Sequence, residues 1–192
     1  LLIVPPSVPA KDTKEFIAYA KAHPGKLNYG SSGPGRSPHL STELLMSLTG
    51  VKMTHVPYKG SPQAVADLVS GDVQLGIPTM PAALPFIKSG RVKVLAVSSA
   101  KRASNLPDIP SLDEAGVKGY DATLWTGMLA PAGTPKEIIN RLHAEIAKVL
   151  ALKEVNDALD KQGAEAQGST PEQFTAFIKT EHAKWAKVVK TA

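Results

Sequence analysis

The chain has 192 residues, a net charge of +5 and no cysteine, with 43% hydrophobic, 20% charged and 5% aromatic residues. The lack of cysteine excludes disulfides, thiolate metal sites and cysteine nucleophiles, and no apolar run reaches the length of a membrane-spanning helix. Basic residues are mixed with acidic ones and aromatics are scarce, so there is no stacking platform and no nucleic-acid partner is expected.

Leu1 to Val4 is a continuous apolar run that predicts a strand buried on both faces. It has neither an initiating Met nor the charged n-region of a signal peptide, so it reads as an interior strand of a longer protein. Asp12 with Glu15 resembles a capping box and opens a helix to about His23, with Phe16, Ile17, Tyr19 and Ala20 on its apolar face. Pro24-Gly25 ends that helix, and Leu27–Gly30 is the next strand.

A glycine-rich turn follows, Gly30-Ser31-Ser32-Gly33-Pro34-Gly35-Arg36, and then a helix. Ser37 suits its N-cap and Pro38 its first position. Leu40, Leu44, Leu45 and Leu48 recur at helical spacing, and Gly50 stops the helix. The same pattern repeats twice. Strand Met53–Val56 leads through Tyr58-Lys59-Gly60 to a helix capped by Ser61-Pro62, with Ala64, Val65, Leu68 and Val69 inward. Strand Val73–Ile77 leads through Pro78-Thr79-Met80-Pro81 to a helix ending near Lys88, before strand Val92–Val97. This alternation predicts an α/β domain with a mostly parallel sheet, helices on both faces and ligands at the carboxyl ends of the strands.

Beyond Ser98 the character changes. Lys101–Pro110 is a polar loop, Leu112–Ala115 a single helical turn, and Tyr120–Leu129 a long strand or crossover. Thr134 as N-cap and Pro135 at the first position open a helix over about 135–151. Further helices span 153–162 and 171–190, the last capped by Thr170-Pro171-Glu172, with one short strand at Ala164–Ala166 between them. Too few strands are present to cover these helices. Their apolar faces, carrying Ile138, Ile139, Leu142, Ile146 and Val149 and then Phe174, Phe177, Ile178, Trp185 and Val188, predict self-association.

The turn before Ser37 carries the chemistry. Gly30, Gly33 and Gly35 permit close backbone approach, and the helix start behind them offers free N–H donors and about half a positive charge. That suits a carboxylate, phosphate or sulfate. The dinucleotide fingerprint fails, because Pro38 stands where its third glycine belongs; the P-loop fails for want of Gly-Lys-Ser or Gly-Lys-Thr. The histidines have no metal-ligand spacing, so neither metal nor cofactor is expected. His39 could reach a bound anion, Arg36 could pair with a second carboxylate, and Tyr58 and Lys59 could wall the site. Two rival classes are a serine hydrolase-like enzyme built on the Ser31–His39 loop and an interaction module built on the C-terminal helices. No Gly-x-Ser-x-Gly elbow supports the first.

The ordered set Pro6-Ser7-Val8-Pro9-Ala10, Pro24-Gly25-Lys26-Leu27-Asn28-Tyr29, Ser37-Pro38-His39-Leu40, His55-Val56-Pro57-Tyr58-Lys59-Gly60, Ala96-Val97-Ser98-Ser99-Ala100-Lys101-Arg102, Pro107-Asp108-Ile109-Pro110-Ser111 and Ala130-Pro131-Ala132-Gly133-Thr134-Pro135 resembles the Bug family. These are periplasmic substrate-binding proteins of tripartite tricarboxylate transporters. The resemblance implies a type II periplasmic-binding-protein-like clamshell that holds a small carboxylate for membrane transporter subunits. It implies residues 1–7 as a crossover strand, 8–120 as the α/β ligand-binding domain, and 121–192 as a return strand and C-terminal helices of an incomplete first domain. An N-terminal third and a signal peptide would precede Leu1. The implied ligand-binding positions are Ser31, Ser32, Gly33, Gly35, Arg36, Ser37 and His39, with Tyr58, Lys59, Gly60, Pro78 and Thr79 on neighbouring turns. Family members often carry Asp-Asn where this chain has Pro78-Thr79, which favours a plain mono- or dicarboxylate over an amino acid.

Overall fold

The structure is a computed structural model and describes residues 1–192. Contacts divide the chain into two units: residues 1–124 with 187–192, and residues 125–186.

The first unit is built on five strands: β1 (Leu2–Val4), β2 (Asn28–Ser31), β3 (Thr54–Pro57), β4 (Leu75–Gly76) and β5 (Lys93–Ala96). Their order in the sheet is β3-β2-β4-β1-β5. Strand β2 runs parallel to β3 and β4, while β1 runs antiparallel to β4 and β5. Four of the five strands therefore run the same way and one, β1, is reversed in the interior, so two of the four pairings are parallel and two antiparallel. That strand is the apolar run at the start of the chain, and its three residues are wholly buried. Pairing on both edges satisfies its backbone, and burial of consecutive residues shows that both faces are covered, so its side chains need no polar face.

Four helices alternate with the strands: α1 (Thr13–Ala22), α2 (Ser37–Thr49), α3 (Ser61–Ser70) and α4 (Met80–Lys88). Helix α1 starts as its capping box dictates. The Asp12 carboxylate accepts the Glu15 N–H at 2.8 Å, and the Glu15 carboxylate accepts the Lys11 N–H at 2.8 Å. Ile3, Val65, Leu68, Val73 and Val97 join in one core cluster, flanked by Tyr58 and Val69. In α2, Leu44 and Leu45 are buried but Leu48 is 44% exposed; Pro38, Ser41 and Thr42 take the remaining inward places. Thr42 can sit there because its hydroxyl donates to the Pro38 carbonyl at 2.9 Å.

The second unit holds α5 (Lys136–Leu150), α6 (Lys153–Lys161) and most of α7 (Pro171–Val189). Thr170 and Gln173 form a reciprocal capping box at the start of α7, at 3.2 Å and 2.9 Å. Trp125 meets Phe174 and Phe177 edge-on, with ring centroids 5.7 Å and 5.3 Å away. The buried Glu181 carboxylate accepts N–H from both indoles, Trp125 at 3.2 Å and Trp185 at 3.0 Å. No residue of α5 or α6 is buried, and Ile138, Leu142, Val149 and Leu152 are each nearly half exposed.

Three expectations need correction. Neither Tyr120–Leu129 nor Ala164–Ala166 forms a strand, because no neighbouring strand pairs with either segment. Tyr120 is instead an anchor: its buried hydroxyl donates to the Ser41 carbonyl at 2.9 Å. The hydroxyl residues read as caps of α2, α3 and α5 do not cap them. Arg36, Gly60 and Pro135 hold those positions, since their carbonyls accept the first i to i+4 bonds, from Leu40, Ala64 and Ile139. Thr134 donates to Pro131 O at 2.8 Å instead.

Candidate functional site

Strands β3, β2 and β4 lie side by side and point the same way. The chain leaves each at its carboxyl end and turns directly into α3, α2 or α4. Three helix N-termini are thereby brought to one edge of the first unit. Between them lies an open cleft of about 740 Å³, lined by Ser32, Gly35, Arg36, Ser37, Pro38, Gly60, Ser61, Pro62, Thr79, Pro81, Ala82 and Leu124.

The chemistry of these helix starts is distinctive. None of α2, α3 and α4 has a side-chain cap or an acidic residue in its first turn. The other four helices each carry a glutamate there: Glu15, Glu137, Glu154 and Glu172. The first N–H groups of a helix have no intrahelical partner, and the dipole makes that end positive. A proline in each first turn removes one donor, and the residues around it keep theirs. The cleft wall contains one full positive charge, Arg36, and no carboxylate. It is a surface suited to an anion.

The loop from β2 to α2 is held from beneath. Ser31 is buried, and its Oγ accepts the Gly33 N–H at 3.1 Å while lying 2.6 Å from His55 Nε2. Gly33 and Gly35 have φ of +125° and +71°, which L side chains rarely adopt. Gly30 is closely packed too: a Cβ there would stand 3.3 Å from both Ala64 and Val73, so those side chains would have to give by a few tenths of an ångström.

A ring cluster stands behind this loop. Tyr29 stacks on His55 at 4.9 Å, and the His39 ring lies tilted against His55 at 4.2 Å. Glu43 accepts the Tyr29 hydroxyl and lies 3.7 Å from His39 Nε2. Burial and the Glu43 hydrogen bond push the Tyr29 hydroxyl far above its ordinary range. Burial, then the neighbouring His39, holds His55 below the usual histidine value, against the opposing pull of Glu43.

The structure sorts the residues singled out from sequence. Ser32, Gly35, Arg36, Ser37, Gly60 and Thr79 line the cleft. Ser31 and Pro78 line, with Ser32, a separate void of only about 10 Å³, room for about one water. Gly33 is bonded to Ser31 within the loop, and Lys59 is exposed outside the cleft wall. Tyr58 is turned away: its ring packs on the core and its hydroxyl donates to Asp67 at 2.7 Å, which with burial raises its pKa to about 12. His39 accepts the Gly35 N–H on Nδ1 at 3.2 Å and so lies under the loop. Within the Ser31–His39 loop of the hydrolase alternative, Ser31 meets His55 rather than His39. Ser61, Pro81 and Ala82 were missed, although the repeated strand-turn-helix pattern places them at equivalent points. Leu124 carried no signal.

The comparisons with known proteins agree with one another. The family described as the tripartite tricarboxylate transporter family receptor matches residues 1–192. Protein BugT of Bordetella pertussis is 37% identical over 190 residues, covering 99% of this chain and 58% of BugT. A Rhodopseudomonas palustris protein solved with adipate is 41% identical with a TM-score of 0.86, covering 100% of this chain and 64% of that one. MatC from Rhodopseudomonas palustris, with bound malate, is 32% identical with a TM-score of 0.80, covering 98% and 65%. The chain thus spans little more than half the length of curated relatives such as BugT.

The depressed basicity of His55 has a consequence for stability. The unfolded chain binds a proton at His55 more readily than the folded one, so its contribution is present above the unfolded value near 6.5 and is lost as pH falls below it. Urea midpoints at about pH 7.5 and pH 5.5 should fall more between the two for the natural protein than for His55→Gln, which keeps an acceptor for Ser31 and cannot charge. Equal falls would show that His55 is not held neutral.

Proposed function

Because the chain belongs to the tripartite tricarboxylate transporter receptor family, we propose that its cleft captures a small carboxylate outside the cytoplasm and presents it to membrane subunits of such a transporter. The observation that carries this is the convergence of three uncapped, acid-free helix N-termini on one cleft with no carboxylate in its wall. One ligand carboxylate lies on the backbone N–H groups at the starts of α2 and α3, against Ser32 and Gly35. In a dicarboxylate, the second group reaches Arg36, whose planar fork suits a bidentate contact. Adipate and malate, held by two structural relatives, are the ligands to try first. Gly33, His39, Tyr58, Lys59 and Pro78 act indirectly, by shaping or flanking the turns.

A binder is favoured over a hydrolase because Ser31 is buried and engaged by both Gly33 and His55. A nucleophile must face its substrate. Periplasmic residence is proposed in keeping with the family, together with a functional division into residues 1–7, 8–120 and 121–192.

Adipate titrated into the protein and followed by amide chemical shifts should perturb Ser32, Gly35 and Ser61. Gly35→Val, strained at positive φ, should weaken binding about tenfold or more. Arg36→Gln should cost adipate about tenfold, the worth of one charge-assisted contact, and leave hexanoate nearly unchanged. Equal losses for both ligands would remove Arg36 from the second carboxylate, and no perturbation would reject the cleft.

The exposed apolar side chains of α5, with Leu152 just beyond it, lead us to propose that the 192-residue chain self-associates. Sedimentation should report a dimer or larger, and Leu142→Glu should shift it toward monomer. A monomer at every concentration would reject the proposal.

A further inference from the structure

The ring cluster beneath the loop contains more ionisable chemistry than support requires. The titratable groups around His39 are Glu43 on its own helix, Tyr29 on β2 and His55 on β3, with Arg36 three residues earlier in sequence at the cap of α2. The cluster touches the loop at two points: Ser31 Oγ beside His55 Nε2, and the Gly35 N–H donating to His39 Nδ1.

The second contact fixes a protonation state. A ring nitrogen that accepts an N–H must keep its lone pair, so His39 is neutral and carries its proton on Nε2, the atom that faces Glu43. Charging His39 places a proton on Nδ1. The bond from Gly35 cannot then exist, and the Gly35 N–H is released to another acceptor. Gly35 lines the cleft, and its ideal Cβ position is free of neighbours within 4 Å, so the turn has room to adjust. The same proton takes the cluster from one net negative charge, on Glu43, to none. His55 competes poorly for that proton, since partial burial and the neighbouring His39 ring, 4.2 Å away, both disfavour its charged form, and Tyr29 stays protonated throughout. Both consequences favour an anion in the cleft.

Given the carboxylate-binding cleft proposed above, we propose that His39 is a positioning residue that couples anion capture to proton uptake, through release of the Gly35 N–H. Linkage makes the effect reciprocal. Lower pH tightens binding, and a bound carboxylate raises the pH at which His39 charges. The ligand itself gains no proton while the pH stays well above the carboxylic acid range.

Amide and imidazole resonances followed from about pH 8 to pH 6, with and without saturating adipate, test this directly. The Gly35 amide should shift with the same midpoint as the His39 ring. Adipate should raise that midpoint by about half a unit or more, equivalent to about a threefold gain in affinity across the titration. In His39→Gln, whose amide oxygen can accept from Gly35 but never charges, adipate affinity should be flat over the same range. A Gly35 amide indifferent to His39 overturns the coupling. An unmoved midpoint while Ser32 and Ser61 report adipate binding also overturns it and leaves the cleft standing. No adipate shift at Ser32, Gly35 or Ser61 overturns the cleft and the coupling with it.

Discussion

Unsatisfied backbone N–H groups at the starts of three helices are the constraint around which the first unit is arranged. Each helix leaves such donors by geometry, and each would ordinarily meet a side-chain cap, an acidic neighbour or water. The four helices elsewhere each have a glutamate in the first turn, α7 has a reciprocal capping box, and α1 has the Asp12 cap with Glu15 reaching back to the Lys11 N–H. Helices α2, α3 and α4 have neither. Aligning them required β3, β2 and β4 to be parallel neighbours. The reversed β1 seals the far side of β4 with a wholly buried apolar strand. The sheet is thus a device for setting three like-signed dipole ends together, an arrangement that an anion relieves.

The loop of α2 shows how such a site is kept in shape. Its backbone visits positive φ at Gly33 and Gly35, so it cannot be held by regular pairing. It is held by Ser31, itself fixed between Gly33 and His55. That support is polar and titratable, which an apolar support would not be. The cost of burying it is offset by mutual bonding: every buried side-chain N or O atom has a partner.

Much of this was legible in the chain. The strand-turn-helix repeat gave the parallel strands β3, β2 and β4 and the edge at which the candidate site lies, because apolar periodicity and turn chemistry are local. The resemblance carried by Ser37-Pro38-His39-Leu40 and its companions agrees with the family that matches. The helix starts were misread by one residue at Ser37, Ser61 and Thr134. A hydroxyl beside a proline looks like a cap, yet the first carbonyl to accept an i+4 bond belongs to Arg36, Gly60 or Pro135. The Ser31–His55 pair was not legible. It depends on the register that sets Tyr29 opposite His55, which places Tyr29, His55 and Ser31 on one face of the sheet. Leu48 kept helical spacing yet is exposed, since the buried stripe of α2 runs instead through Pro38, Thr42 and Leu45. Strands at 120–129 and 164–166 failed for the same non-local reason, the lack of a pairing partner.

The most direct test of the central claim is a crystal structure of the protein grown with adipate. A carboxylate lying within hydrogen-bond distance of the backbone N–H groups at the starts of α2 and α3, with its far end toward Arg36, is the result expected. Adipate bound away from these helix starts, or held there by side chains alone, would contradict it.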